Sequence, residues 1–239
     1  ITFSNSLATT LHMWDEQAAA LKGDFRILRF DNRGHGKSAA PKGPYTFEML
    51  YGDVVGLWNA LDIEKSHFVG LSIGGMSGQG LALAHPDRLL TLTIANSASE
   101  GTPAFKAAWD ARIAAAEKEG IEPLVEPTVQ RWCSPSFYAA KPPTLEKMRG
   151  MIRETTVAGY TGCGYAVKSL NYLSRISNIR TRTLLIAGRD DGATPPEGMK
   201  AIGAQIKGSK YVELAPAGHI SAMEQPAAFT QALREFIAA

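Results

Sequence analysis

His67-Phe68-Val69-Gly70-Leu71-Ser72-Ile73-Gly74-Gly75-Met76 is the stretch whose reading decides the fold of this chain. An apolar, strand-like run enters it, two glycines flank a serine, and small residues lead out of it as a helix. The glycines let the backbone turn sharply from strand to helix, and such a turn lifts a serine hydroxyl above the end of a parallel sheet. In a chain with 23 glycines the bare pattern is a weak signal, so its context and its partners have to carry the reading.

Outward from Ser72 the chain alternates short β-rich runs with helical stretches, the pattern of βα units stacking a parallel sheet. Ile1 to Phe3, Phe25 to Phe30, His67 to Val69, Leu90 to Ile94, Thr183 to Ile186 and Tyr211 to Leu214 read as strands. Phe47, Leu50, Tyr51, Val54, Val55, Trp58 and Leu61 share a helical face behind a Thr46 cap, and Ala227 to Ile237 reads as a closing helix. The rhythm breaks after Ala95, where about 80 residues separate two strands, a length that marks a functional insertion. Thr102-Pro103 starts a helix there, with Phe105, Trp109, Ile113 and Ala116 on one face and Gly120 as its stop. A second follows Pro142-Pro143-Thr144, with Leu145, Met148, Met151 and Ile152 at helical spacing. The expectation is an α/β core of residues 1–98 and 172–239, interrupted by a helical cap at 99–171.

Composition narrows the function. The 239 residues are 45% hydrophobic and 20% charged, ordinary for a globular protein, and a net charge of +2 with scattered basic residues gives no nucleic-acid footprint. A small-molecule partner follows. No apolar run approaches membrane length, and no basic start with an apolar stretch marks a signal peptide. Cys133 and Cys163 form no CxxC pair, so they read as reduced thiols in a cytosolic protein. The five histidines show no metal-ligand spacing, so neither metal nor cofactor is expected.

A serine hydroxyl becomes a nucleophile at neutral pH when an imidazole takes its proton and an acid holds that imidazole in the right tautomer. The required order of serine, acid, histidine is present. Gly188-Arg189-Asp190-Asp191-Gly192-Ala193-Thr194-Pro195 follows an apolar strand and offers two acids. Ala217-Gly218-His219 lies between the last strand and the last helix. Two other motifs fail. Gly36-Lys37-Ser38 resembles the end of a phosphate loop, but Asp31 stands where its first glycine belongs, and Gly162-Cys163-Gly164 lacks the strand, third glycine and downstream acid of a dinucleotide site.

Taken together these residues resemble the α/β-hydrolase fold from Ile1 to the last helix. Ser4-Asn5-Ser6-Leu7-Ala8-Thr9 with Met13-Trp14, Gly70 to Met76, Ala111-Arg112-Ile113-Ala114-Ala115, Arg131-Trp132 and Gly159-Tyr160-Thr161-Gly162-Cys163 are similar to the 3-oxoadipate enol-lactonases. The resemblance implies Ser72 as nucleophile, His219 as base and Asp191, rather than Asp190, as the acid, because Asp191 fits the fold's G-x-x-D-x-x-x-P habit. It implies backbone N–H groups of Leu7 and Ile73 as the oxyanion donors, and a cap inserted after the fold's sixth strand, the fourth visible here. It also implies that His35, in Asp31-Asn32-Arg33-Gly34-His35-Gly36, is architectural. Ala8 departs from the pattern, where glycine is expected, and a hairpin is expected ahead of Ile1. The implied reaction opens an enol-lactone to 3-oxoadipate in the β-ketoadipate route. Such a substrate carries a carboxylate arm, for which Arg131 beside Trp132 is the candidate pair. The rivals are a broader carboxylesterase, another lactonase such as one for acyl-homoserine lactones, a carbon–carbon bond hydrolase, or a ligand-sensing protein on the same fold.

Overall fold

Alternation of apolar runs with helical segments yields six parallel strands in the computed structural model, which describes residues 1–239. In sequence order these are β1 (Thr2–Ser4), β2 (Leu28–Arg29), β3 (Ser66–Leu71), β4 (Leu89–Ala95), β5 (Thr183–Gly188) and β6 (Lys210–Leu214), and they lie side by side in the order β2-β1-β3-β4-β5-β6. The central strands are buried on both faces, which is why they read as continuous apolar runs rather than alternating ones. The second strand is shorter than its apolar run predicts. It is an edge strand with β1 as its one partner, and its flanks bond elsewhere: the Arg26 carbonyl accepts from the Ile1 amino group, and the Phe30 carbonyl from the Asn5 side chain.

The helices are α1 (Asp15–Leu21), α2 (Phe47–Ala60), α3 (Ile73–Ala84), α4 (Pro103–Glu119), α5 (Glu122–Trp132), α6 (Pro135–Ala140), α7 (Thr144–Arg153), α8 (Val157–Lys168), α9 (Pro196–Gln205), α10 (Ser221–Glu224) and α11 (Pro226–Ala238). Thr46 and Thr102 cap α2 and α4 as the sequence predicts, each accepting the backbone N–H of the helix's third residue, Met49 and Phe105. Gly120 ends α4 with φ +81°.

Helices α4 to α8 lie between β4 and β5 in the chain, and one continuous hydrophobic cluster runs from the sheet into them. Helix α5 is hidden from sequence periodicity by Pro123 at its start and Pro127 inside it. Helix α8 is hidden by three glycines, whose purpose is packing. A Cβ on Gly159 would fall 2.3 Å from the Gly34 carbonyl oxygen, and one on Gly162 would enter the Tyr45 ring. The Gly162-Cys163-Gly164 motif is therefore a close-packed helix face.

Strand register aligns the carboxyl ends of β1, β3, β4 and β5, pairing Ser4 with Gly70, Leu71 with Ala95, and Ala95 with Ile186. The loops leaving that edge carry the residues of interest, as expected for an open parallel sheet.

Candidate active site

Ser72 sits alone between the last residue of β3 and the first of α3, with φ +57° and ψ −117°. A side chain in that region costs about 1–2 kcal/mol, so the surroundings must impose it. They do. The Ser72 N–H donates to the Ala95 carbonyl (2.9 Å), while its own carbonyl accepts from Met76 N–H (2.9 Å) and Ser97 Oγ (2.9 Å). A Cβ on Gly70 would lie 2.2 Å from the Gly74 carbonyl oxygen, and one on Gly74 2.3 Å from that of Ser4. Both glycines are thus required for α3 to approach the sheet.

Asp191 and His219 arrive on the loops after β5 and β6. His219 Nδ1 lies 2.9 Å from Asp191 Oδ2 and 3.1 Å from Oδ1. An ionised carboxylate only accepts, so Nδ1 carries the proton and Nε2 is left as the acceptor. Asp191 also receives Ala193 N–H (2.8 Å), Thr194 N–H (2.9 Å), Thr194 Oγ1 (2.7 Å) and Asn96 Nδ2 (3.0 Å). Burial pushes its carboxyl up, but His219 and these donors outweigh burial and hold it below the ordinary carboxylate value. Asp190 is exposed.

The histidine loop is fastened to the end of α5. His219 N–H donates to the Trp132 carbonyl (2.6 Å), and a Cβ on Gly218 would stand 2.3 Å from that same oxygen. Glu224 bridges the two segments, accepting Gly218 N–H (2.9 Å) and Ser134 Oγ (2.6 Å). Burial raises the Glu224 carboxyl above its usual range, though these donors pull against it. Asn96 completes the frame by donating to the Gly218 carbonyl (3.2 Å) and accepting Ser221 Oγ (2.5 Å). Neither Asn96 nor Glu224 stood out in the sequence as part of the site, although Glu224 lies in the Glu224-Gln225-Pro226 run that follows the histidine.

On the loop after β1, Ser6 N–H donates to Met13 Sδ (3.3 Å) and Ala8 N–H to His35 Nε2 (3.0 Å). The Leu7 N–H between them is left over. Burial lowers the His35 pKa, keeping the ring neutral and able to accept, while Nδ1 donates to the Arg33 carbonyl (3.0 Å). His35 is thus a strut under this loop. Ala8 has φ +62°, a left-handed conformation that explains why glycine is the expected residue there. Ile73 opens α3, so its N–H is one of the unpaired donors of a helix start.

Ser72, His219, Leu7, Arg131 and Trp132 all line one pocket. Asp191 stands behind His219, and the Ile73 side chain is buried away from it. Phe105, Trp109, Tyr160, Val167 and Met76 supply apolar wall, and Arg112 joins Arg131 as a second cation, a residue whose role the sequence did not reveal. Arg131 is half-buried and has neither a hydrogen bond nor a carboxylate partner, whereas Arg33, Arg149 and Arg153 each sit on one. Burial lowers its pKa to about 10, with Arg112 adding to the fall. No group of three or more His, Cys, Asp or Glu side chains is placed to hold a metal ion.

Residues 3–226 match the alpha/beta hydrolase fold family. The chain is 34% identical over 233 residues to 3-oxoadipate enol-lactonase 2 of Acinetobacter baylyi, spanning 98% of this chain and 86% of that protein. It is 30% identical over 247 residues to RutD of Caulobacter segnis, a suggested carbamate hydrolase, spanning 99% and 90%. The solved enol-lactonase of Burkholderia xenovorans LB400 superposes with a TM-score of 0.95 at 38% identity, over 100% of this chain and 90% of that one.

Proposed function

The chain belongs to the 3-oxoadipate enol-lactonase family of α/β-hydrolases and is a carboxylic-ester hydrolase, and on that premise we propose that it opens a small enol-lactone bearing a carboxylate arm, 3-oxoadipate enol-lactone itself, through a Ser72–His219–Asp191 triad. Ser72 Oγ attacks the lactone carbonyl as His219 Nε2 takes its proton. Asp191 holds the imidazole and stabilises its charge. The oxyanion forms against the N–H groups of Leu7 and Ile73, donors that cost nothing to reorganise at the moment of reaction. Collapse breaks the ring C–O bond, His219 returns its proton, and the ring oxygen leaves as an enol that becomes a ketone. Water activated by His219 then frees the acyl group from Ser72. Segment 99–171 acts as the cap, and Arg131 with Trp132 receives the carboxylate arm.

The observation that carries the substrate class is the unpartnered, half-buried Arg131 guanidinium in the pocket of Ser72 and His219. A charge withdrawn from water without a partner is costly, which favours a ligand that brings the counter-charge. Two buried free thiols, Cys133 and Cys163, favour a reducing compartment. No helix is long and apolar enough to cross a membrane. A panel of lactones and aryl esters tests this reading. The carboxylated enol-lactone turns over with much the highest kcat/KM, and equal or faster turnover of uncharged esters would replace it with a general carboxylesterase.

A further inference from the structure

We propose that Arg112 and Arg131 form a two-point clamp, so that the pocket binds dicarboxylates, one carboxylate on each guanidinium. The inference rests on the carboxylated-lactone reading and extends it from substrate to product. Hydrolysis consumes one water, breaks the ring C–O bond, and releases the acyl carbon from Ser72 as a carboxylate and a proton. A lactone that enters with one carboxylate therefore leaves with two.

Four features of the pocket support the second anion. Its lining contains two guanidinium groups and no Asp or Glu, and neither arginine has a salt-bridge partner. Arg112 is near enough to Arg131 to push its pKa further down, a repulsion that an anion between or beside them relieves. Arg112 is also held without using its donors. Its guanidinium lies 5.0 Å from the centre of the Trp109 ring, and Trp109 is in turn braced by Phe105 and Tyr160, with ring centres 6.4 and 6.1 Å away. This cation–π contact holds the guanidinium over the ring and leaves its N–H fork open for a carboxylate. The two arginines also occupy different places. Arg131 is in the last turn of α5, one residue before the carbonyl that holds His219, whereas Arg112 is set on α4 against the aromatic wall. Two separate cations suit two carboxylates on a short chain better than one carboxylate shared.

Calorimetric titration of the Ser72→Ala protein with adipate and with hexanoate, ligands of equal chain length, tests the clamp. Adipate binds about 10-fold or more tightly than hexanoate, the gain of one further charge-assisted pair. Arg112→Ala brings the ratio to about one while changing hexanoate less than about 3-fold, and Arg112→Lys keeps part of the preference. Equal binding of the two ligands by the parent protein would overturn the clamp. So would an Arg112→Ala variant that weakens both ligands alike, which would mean one carboxylate shared by both arginines. Lactone kinetics on the unmutated enzyme separate the two levels of inference. Selective lactone opening without adipate preference removes the clamp alone, whereas adipate preference without lactone opening removes the substrate and leaves the clamp standing.

Discussion

The loop carrying His219 and the helix end carrying Arg131 touch directly, through the Trp132 carbonyl, yet they are wired in opposite ways. Around His219, protein groups answer one another: Asp191 takes four donors besides the imidazole, Asn96 holds both loops, and Glu224 pins Gly218 to Ser134. Around Arg131 and Arg112 the pocket lining offers no carboxylate, and neither guanidinium has a hydrogen-bonded partner. The first region spends its hydrogen bonds on geometry before any ligand arrives, as a preorganised catalytic end should. The second leaves its guanidinium donors without hydrogen-bond partners, free for the ligand we propose. On the proposed function the first region sets rate and the second sets selection.

That division can be broken most forcefully at the nucleophile. Ser72→Ala should lower kcat by roughly 100,000-fold while the denaturation midpoint moves little, because the removed hydroxyl serves no structural bond. Retained turnover in that variant would remove Ser72 from the chemistry. Asp191→Asn should lower kcat about 10,000-fold through the wrong imidazole tautomer, with KM little changed. The same variant has a signature in acid. The Asp191 carboxyl sits below its ordinary value of 3.8, so the stability it lends is complete above about pH 4 and is lost as pH falls further. Asp191→Asn should flatten that acid limb of the unfolding free energy, and an unchanged slope would show that Asp191 is not stabilised by its partners.

On the reserve side, Arg131→Ala should raise KM for the carboxylated lactone by about 10- to 100-fold, the worth of one charged hydrogen-bonded contact, and leave uncharged lactones nearly untouched. Glu224→Ala should cost about 2 kcal/mol of stability, since it strands Gly218 N–H and the Ser134 donors in the interior, and chemical denaturation measures it. The smallest effect belongs to Ala8→Gly. Losing a buried methyl and adding chain entropy together cost about 1.5 kcal/mol, and release from the left-handed conformation returns about 1–2 kcal/mol. The variant should therefore unfold within about 0.5 kcal/mol of the parent, whereas a loss above about 1.5 kcal/mol would show that Ala8 is unstrained.

The loops that carry Ser72, Asp191 and His219 were legible in the sequence because backbone constraints write themselves as residue types. Gly70 and Gly74 are obligatory at the turn, and the strand, loop and helix order around Asp191 and His219 is local. All six strands could be read for the same reason, apart from the length of β2, whose pairing depends on a distant partner. The placement of Arg112 and of Asn96 was not legible, since it arises when α4 meets α5 and when β4 meets the histidine loop, contacts of high sequence separation. Helices α5 and α8 escaped because Pro127 and three glycines violate helix propensity for reasons that tertiary packing supplies.

The most direct test crosses two variants with two substrates, measuring kcat/KM for the carboxylated enol-lactone and for an uncharged lactone of the same ring, in Asp191→Asn and in Arg131→Ala. The account predicts that Asp191→Asn lowers both substrates by the same factor and that Arg131→Ala lowers the carboxylated one alone. Equal losses on both substrates in Arg131→Ala would contradict it, placing Arg131 with the structural frame of the histidine loop instead of with the ligand.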